Sequence, residues 1–205
     1  MGAADKPAFI ALAAPVGAHS QQLELLVKSQ PGTAELLCAL SEGAELEVSE
    51  VMGRGFQTGL IPASSFPDLF LFATGSGLSP VRALLETPVE KGGLGLGGGG
   101  GERRAGQLHL YVGVRTPAHL AFPERIAAWE AAGLRVTRVY SEAGHDAGEQ
   151  RGGRYVQDVF LASQGGKVNG ATTAAVLVGQ KGMAEALQAA MAERGVPKDR
   201  LIGNF

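Results

Sequence analysis

The feature that most constrains the fold is an alternation of apolar runs and helical segments that begins after Pro67. Residues 69–73 form a continuous apolar run, which is typical of a parallel strand buried on both faces. The run leads through a glycine-containing turn to Ser79 and Pro80, a good N-cap and a good first helical residue. The predicted strands are 69–73, 107–112, 134–140, 174–178 and a short 201–202, and the predicted helices are about 80–86, 123–132, 154–163 and 183–194. This order predicts an α/β fold, a five-stranded parallel sheet with helices on both faces.

The segment before this alternation has a different pattern. Residues 9–14 and 23–27 are apolar bursts that predict strands, and residues 45–49 alternate at period two, as half-buried strands do. Residues 33–40 have helical spacing, with three leucines on one face. Because no strand–helix rhythm recurs, we predict two domains, a mixed antiparallel segment at 1–65 and the parallel sheet at 66–205.

Glycine is unusually frequent, with 31 in the chain, and many lie in residues 91–106, where 97–101 are all glycine. Such a composition cannot bury a core and predicts a flexible surface loop between the first helix and the second strand. Phosphate-binding glycine loops directly precede helices, and this tract does not. We therefore prefer the loop.

Composition excludes several classes of function. The formal net charge is −2, so no basic surplus points to nucleic acid or an anionic membrane. No apolar run approaches the roughly 20 residues that span a bilayer, and the short N-terminal apolar run lacks the positive flank of a targeting signal. Cys38 stands alone and the four histidines show no ligand spacing, so we expect no disulfide and no metal site. We expect a soluble protein.

Two glycines follow the first predicted strand. Gly75 and Gly77 lie where backbone N–H groups converge and the helix dipole favours an anion. The dinucleotide fingerprint G-x-G-x-x-G is not met, because Pro80 stands in place of its third glycine, and neither a P-loop nor a nucleophile elbow occurs. These residues favour a phosphate-bearing ligand, and the alternative is an ordinary strand–helix turn.

Polar and glycine residues follow three more predicted strands. Gly179 and Gly182 come after the fourth strand, Arg115 after the second and Ser141 after the third. Ligands of open parallel sheets bind beyond such strand ends, and an arginine there suits a phosphate. Taken singly, Arg115 would be a solvated surface residue and Ser141 a turn serine.

Four segments together resemble a known family. Residues 72–82 resemble the A-T-G-T/S-G-x-x-P-x-R signature of ferredoxin–NADP reductases. Residues 111–115 are similar to the Y-x-G-x-R stretch of that family, 155–157 to its Y-V/I-Q and 179–183 to its C-G-x-x-x-M, in the same order and spacing. The resemblance covers 66–205 and is closest to the ferredoxin–NADP reductase-like oxidoreductases of chloroplasts, which also share stretches similar to 26–29, 34–38 and 51–56.

The resemblance implies an FAD-dependent NAD(P)H oxidoreductase that passes hydride between nicotinamide C4 and flavin N5, and electrons on to an unidentified acceptor such as a small redox protein. It also implies a location in the chloroplast stroma. The cofactor-binding residues that it implies are Thr74, Gly75, Ser76 and Gly77 for the dinucleotide cradle, Arg115 for phosphate, Ser141, Tyr155 and Gln157 for the adenosine end, Gly179, Gln180 and Met183 for the nicotinamide side, and Thr33 and Ala34 for a flavin phosphate.

The sequence also departs from the family pattern. The flavin motif R-x-Y-S falls on residues 8–11, which are Ala-Phe-Ile-Ala, and Val178 replaces the cysteine of C-G. Residues 1–65 match only about the last half of a six-stranded flavin barrel, so we expect that the start of the barrel is missing, either by truncation of the sequence or in nature. We therefore expect weak FAD binding, and the alternative function is a dinucleotide-binding or interaction protein without turnover.

The choice of nicotinamide cofactor stays open at the level of sequence. The resemblance slightly favours NADP(H), whose 2′-phosphate needs cationic neighbours. Glu142 follows Ser141, where NADP-selective members have arginine, and would repel that phosphate. Arg151 and Arg154 lie close in sequence and would compensate.

Overall fold

The computed structural model describes residues 8–15, 22–97, 104–142 and 155–203. Within these ranges the chain forms one sheet of five parallel strands in the order β3-β2-β1-β4-β5. The strands are β1 Asp68–Thr74, β2 Leu108–Val114, β3 Arg135–Tyr140, β4 Thr173–Val178 and β5 Leu201–Gly203. The predicted parallel sheet is confirmed, and its strand ends differ from the predicted ones by at most two residues.

Helices cover both faces of the sheet, as the sequence predicted. The described helices are α1 Thr33–Cys38, α2 Leu78–Glu86, α3 Pro123–Ala131, α4 Val156–Gln164 and α5 Lys181–Ala192. One core contains the buried side chains of α2 and α3, and a second core on the opposite face contains those of α4 and α5. The chain therefore changes faces after β3.

The continuous apolar run of β1 supplies both cores. Leu69, Leu71 and Ala73 belong to the core with α2 and α3. Phe70 and Phe72 point to the other face, where the ring of Phe72 meets that of Phe160 edge-on at 4.9 Å. All five side chains are buried because strands of a parallel sheet with covered faces have no solvent side.

The start of α2 differs from the sequence prediction. A 3₁₀ turn at Gly75–Gly77 follows β1, α2 begins at Leu78, and Gly77 occupies the N-cap position. Ser79 is buried inside the first turn, and its hydroxyl donates a hydrogen bond of 3.0 Å to the carbonyl oxygen of Ala11. The prediction of Ser79 as the N-cap was wrong, because its hydroxyl binds the N-terminal segment instead.

The first part of the glycine-rich tract also differs from prediction. Leu94 is buried in the core with α2, and its N–H donates to the carbonyl oxygen of Leu84 at 2.9 Å. A Cβ at Gly93 would overlap the backbone of Thr87. The prediction of a surface loop is therefore wrong for residues 93–96, because two leucines at i and i+2 pack back onto α2. Residues 98–103 lie outside the described ranges.

The predicted N-terminal barrel strands are not formed by the described residues. Their only pairing is an isolated antiparallel bridge between Leu12 and Leu25. Residues 45–49 are exposed and irregular, and α1 buries none of its residues. The prediction of strands at 9–14, 23–27 and 45–49 was wrong. Strands of marginal length need a partner strand, and none pairs with these segments among the described residues. The boundary between the two predicted domains stays a prediction.

A partly buried ionic cluster connects the N-terminal segment to the sheet domain. Arg82 donates to the carboxylates of Glu24 and Glu86, and Glu86 also accepts hydrogen bonds from Arg125 Nε at 2.7 Å and Trp129 Nε1 at 3.1 Å. Burial by itself lowers the pKa of Arg82, but its hydrogen bonds and the two carboxylate charges together raise it above its usual value. Arg82 therefore stays charged and joins three parts of the chain.

A buried histidine in β2 gives the fold an acid sensitivity. Burial, and secondarily the charge of Arg135, lowers the pKa of His109 from 6.5 to about 4. Its Nε2 lies 2.8 Å from the hydroxyl of Thr137, whereas its buried Nδ1 has no hydrogen-bond partner. The unfolded chain binds a proton at this histidine near pH 6.5, and the folded chain binds it only near pH 4. The neutral, buried His109 therefore makes its full contribution to folding stability above pH 6.5, and this contribution is lost as the pH falls toward 4.

We expect His109→Gln to flatten the pH dependence of stability. The loss in the parent chain between pH 6.5 and 4 amounts to at most about 3 kcal/mol, and the glutamine amide can still reach Thr137 without titrating. Urea unfolding at several pH values measures this. His119→Gln, at an exposed histidine, is the matched control and should keep the parent slope. An unchanged slope in His109→Gln would contradict the assignment.

Candidate functional site

The candidate site lies at the carboxyl ends of β1 and β4. These strands are neighbours in the sheet, yet β1 leads into α2 on one face and β4 into α5 on the other. In open α/β sheets, ligands bind in the crevice at such a reversal of strand order. The predicted glycine turns therefore lie at the place where the topology opens a crevice.

The two glycine turns touch each other directly. The N–H of Gln180 donates to the hydroxyl of Thr74 at 2.8 Å. A Cβ at Gly77 would lie 2.7 Å from the carbonyl oxygen of Val178, and a Cβ at Gly179 would overlap the hydroxyl of Thr74. Glycine at 77 and 179 is thus required by the packing of one turn on the other, a reason that the sequence did not reveal.

Gly75 differs from these two glycines. Its φ is +53°, a left-handed conformation, and a Cβ there would meet no atom within 4 Å. Ser76 beside it is exposed. The turn after β1 therefore keeps one open side above the crevice, and the first turn of α2 follows it.

The same edge continues over β2. Gly113 pairs with Thr74, and a Cβ on Gly113 would lie 2.6 Å from a methyl carbon of Val156. Glycine at 113, which was not among the predicted site residues, therefore lets the first turn of α4 approach the ends of β1 and β2. Tyr155, directly before α4, is half exposed, and Gln157 is partly buried.

The ends of β2 and β3 bring an arginine and a glutamate together. The backbone hydrogen bonds between β2 and β3 continue past the ends of the strands. The N–H of Ser141 donates to the carbonyl oxygen of Val114 and that of Glu142 to the carbonyl oxygen of Arg115, both at 3.0 Å. Arg115 Nε and Nη2 lie 2.9 and 2.7 Å from Glu142 Oε1. The arginine predicted to hold phosphate is thus already paired with a carboxylate. Residues 143–154, which include Arg151 and Arg154, lie outside the described ranges.

The remaining predicted site residues have different surroundings. Gly179 and Gln180 are exposed at the crevice, whereas Met183 is buried in the core with α4 and α5. Thr33 and Ala34 begin α1 in the N-terminal segment. In the described ranges, no group of three or more His, Cys, Asp or Glu side chains is arranged to hold a metal ion, and no helix has the length and apolarity to cross a bilayer.

A family model for the oxidoreductase NAD-binding domain matches residues 71–189, more than half of the chain and the whole crevice. The chain belongs to this family. The resemblance to ferredoxin–NADP reductases predicted from the sequence is thereby confirmed, and with it the nucleotide-binding character of the parallel sheet.

Individual relatives agree with this membership. The fruit protein pKIWI502 of Actinidia deliciosa is 30% identical over 201 residues, 96% of this chain and 59% of that protein. The ferredoxin–NAD(+) reductase component of an alkene monooxygenase system from Xanthobacter autotrophicus is 28% identical over 146 residues, 69% of this chain and 40% of that protein. The chain thus spans less than two thirds of either relative.

A solved structure shares the fold. A ferredoxin NADP+ reductase from Neisseria gonorrhoeae, crystallised with FAD and NADP, superposes with a TM-score of 0.63 at 16% identity, over 91% of this chain and 72% of that one. At this identity the likeness establishes the fold alone.

Proposed function

We propose that this chain is the nicotinamide-nucleotide-binding part of an FAD-dependent NAD(P)H oxidoreductase that delivers electrons to a separate acceptor. One observation carries the proposal: the oxidoreductase NAD-binding family match covers the crevice where the turns after β1 and β4 meet. Relatives named as ferredoxin reductases support electron transfer as the reaction class.

The residues at the crevice fit a dinucleotide. Gly75 leaves open space above the turn, and the backbone N–H groups of this turn lead into the N-terminal end of α2, whose dipole favours a pyrophosphate. Thr74 fixes the position of the opposite turn through its hydrogen bond to Gln180. These residues would bind and orient the nucleotide, and the exposed Gly179 and Gln180 would border its nicotinamide end.

The described residues fit FAD less completely. Residues 8–11 offer no charged or hydroxyl side chain, and the N-terminal segment forms no barrel among the described residues. When bound, the flavin would accept hydride from nicotinamide C4 at its N5. The same observation favours the second candidate function, a dinucleotide-binding protein without turnover of its own.

The proposal also covers the electron acceptor and the cellular location. We infer an acceptor of the small redox-protein class, because relatives are named for their reaction with ferredoxin. Location in the chloroplast stroma rests on the sequence resemblance to chloroplast oxidoreductases. Fractionation of plastids from the source tissue, with an antibody to this chain, tests the location.

A charge placed at the open turn tests nucleotide binding. We expect Ser76→Glu to weaken NADH and NADPH binding by about one to two powers of ten, because a carboxylate beside the pyrophosphate repels it. Ser76 is exposed, so the fold should tolerate the change. Ser76→Gln has nearly the same size without the charge and should bind within about threefold of the parent. Calorimetric titration measures both, and equal affinities in the two variants would contradict the site.

Flavin content tests the difference between the two candidate functions. We expect the 205-residue chain to retain far less than one FAD per chain after incubation and desalting. Two missing charge-assisted contacts at residues 8 and 11 would weaken binding by about two to four powers of ten. Flavin absorbance against protein concentration measures this. A yellow protein with one flavin per chain that reduces an artificial acceptor with NADH or NADPH would contradict the expectation and support a complete enzyme.

A further inference from the structure

The ion pair at the ends of β2 and β3 bears on which nucleotide the crevice accepts. Arg115 is the cation that follows β2, and both of its paired nitrogens lie within 2.9 Å of one oxygen of Glu142. The backbone hydrogen bond from Glu142 to Arg115 holds the two residues side by side. The guanidinium charge is therefore balanced by a carboxylate within this chain.

We propose that Glu142 makes this site selective for NADH over NADPH, an inference that rests on the proposed function. The two nucleotides differ only by the 2′-phosphate, which carries about −1.5 to −2 charges at neutral pH. A phosphate at this edge needs a cation, and among the residues described at the ends of β2 and β3 it meets an arginine already paired with a carboxylate. A ribose 2′-hydroxyl, in contrast, can donate a hydrogen bond to a carboxylate. The pair thus penalises the phosphate and accepts the hydroxyl.

The Arg115–Glu142 pair is exposed, so its effect on nucleotide selectivity can be tested by substitution without disturbing the core. The Arg115 side chain is 68% exposed and that of Glu142 43%, so neither is locked in a core and both can reorganise around a ligand. When the carboxylate is neutralised, the arginine is released to bind a phosphate. The selectivity should also weaken with added salt, because charges this exposed are screened.

The experiment compares NADH and NADPH affinities by calorimetric titration of the 205-residue chain and its variants. We expect the parent to bind NADH at least about tenfold more tightly than NADPH. Glu142→Gln should tighten NADPH binding by about tenfold and change NADH binding by less than about threefold. Adding Arg115→Gln should remove the gain for NADPH, because the released arginine is its source.

A matched control separates the local pair from net charge. Glu130→Gln removes a carboxylate that pairs with Arg138 at 2.7 Å in the same domain, and it should leave the NADH-to-NADPH ratio unchanged. A parent that binds NADPH as tightly as NADH, or a Glu142→Gln variant with the parent ratio, would overturn the selectivity alone. Failure of both nucleotides to bind any folded variant would overturn the proposed function, and the selectivity with it.

Discussion

Gly179→Ala is expected to destabilise the folded chain by about 3 kcal/mol and to abolish nucleotide binding. Gly179 has a φ of +128°, which L-residues avoid, and an added Cβ would overlap the Thr74 hydroxyl and lie 2.9 Å from the Thr74 nitrogen. The turns after β1 and β4 would have to move apart, which breaks the hydrogen bond between Thr74 and Gln180. Urea unfolding gives the free energy, and NADH titration gives the binding.

Gly182→Ala is the control for this prediction. Gly182 lies three residues further along in α5, where a Cβ meets no atom within 4 Å. Alanine there should leave stability unchanged or raise it by up to about 1 kcal/mol, because alanine favours the helix. If the two variants unfolded at the same urea concentration, contact between the two turns would not constrain the site.

Glu86→Gln is expected to cost about 3 kcal/mol of folding free energy. The Glu86 side chain is only 6% exposed and receives hydrogen bonds from two arginines and a tryptophan. Without the carboxylate charge, Arg82 keeps Glu24 as its anionic partner, and Arg125 loses the anion that it binds. We expect the connection of α2 to α3 to weaken first, visible as a change in Trp129 fluorescence below the main unfolding transition.

Glu185→Gln provides the comparison, because Lys181 and Glu185 have the same i, i+4 spacing as Arg82 and Glu86. This second pair is exposed and its charges are 3.6 Å apart. Its loss should cost at most about 0.5 kcal/mol. Equal effects of the two substitutions would show that the burial of Glu86 adds nothing.

The sheet and its helices could be predicted because the spacing of apolar residues within each single element indicates which side chains are buried. The apolar run in β1 and the stripe of Met183, Leu187 and Met191 in α5 show their burial through spacing alone. The cluster around Glu86 was not predicted, because Arg125 and Trp129 on α3 reach Glu86 only through the packing of the domain.

Other features needed the three-dimensional arrangement. Ser79 has a typical N-cap residue type, but the backbone of Ala11, 68 positions away, takes its hydroxyl. The requirement for glycine at 77 and 113 follows from neighbours on β4 and α4, which no local pattern contains. The strands predicted at 9–14, 23–27 and 45–49 had suitable spacing, but a strand also needs a partner.

The contact between the turns after β1 and β4 also sets the order of assembly during synthesis. Thr74 and Gln180 are 106 positions apart, so a ribosome has produced most of the chain before this hydrogen bond can form. Until β4 emerges, one edge of the apolar β1 has no partner, and such an edge is open to aggregation. Chains arrested before residue 173 should therefore depend on chaperones. In full-length chains, a nicotinamide nucleotide can assist only the last step of folding, after both turns have formed.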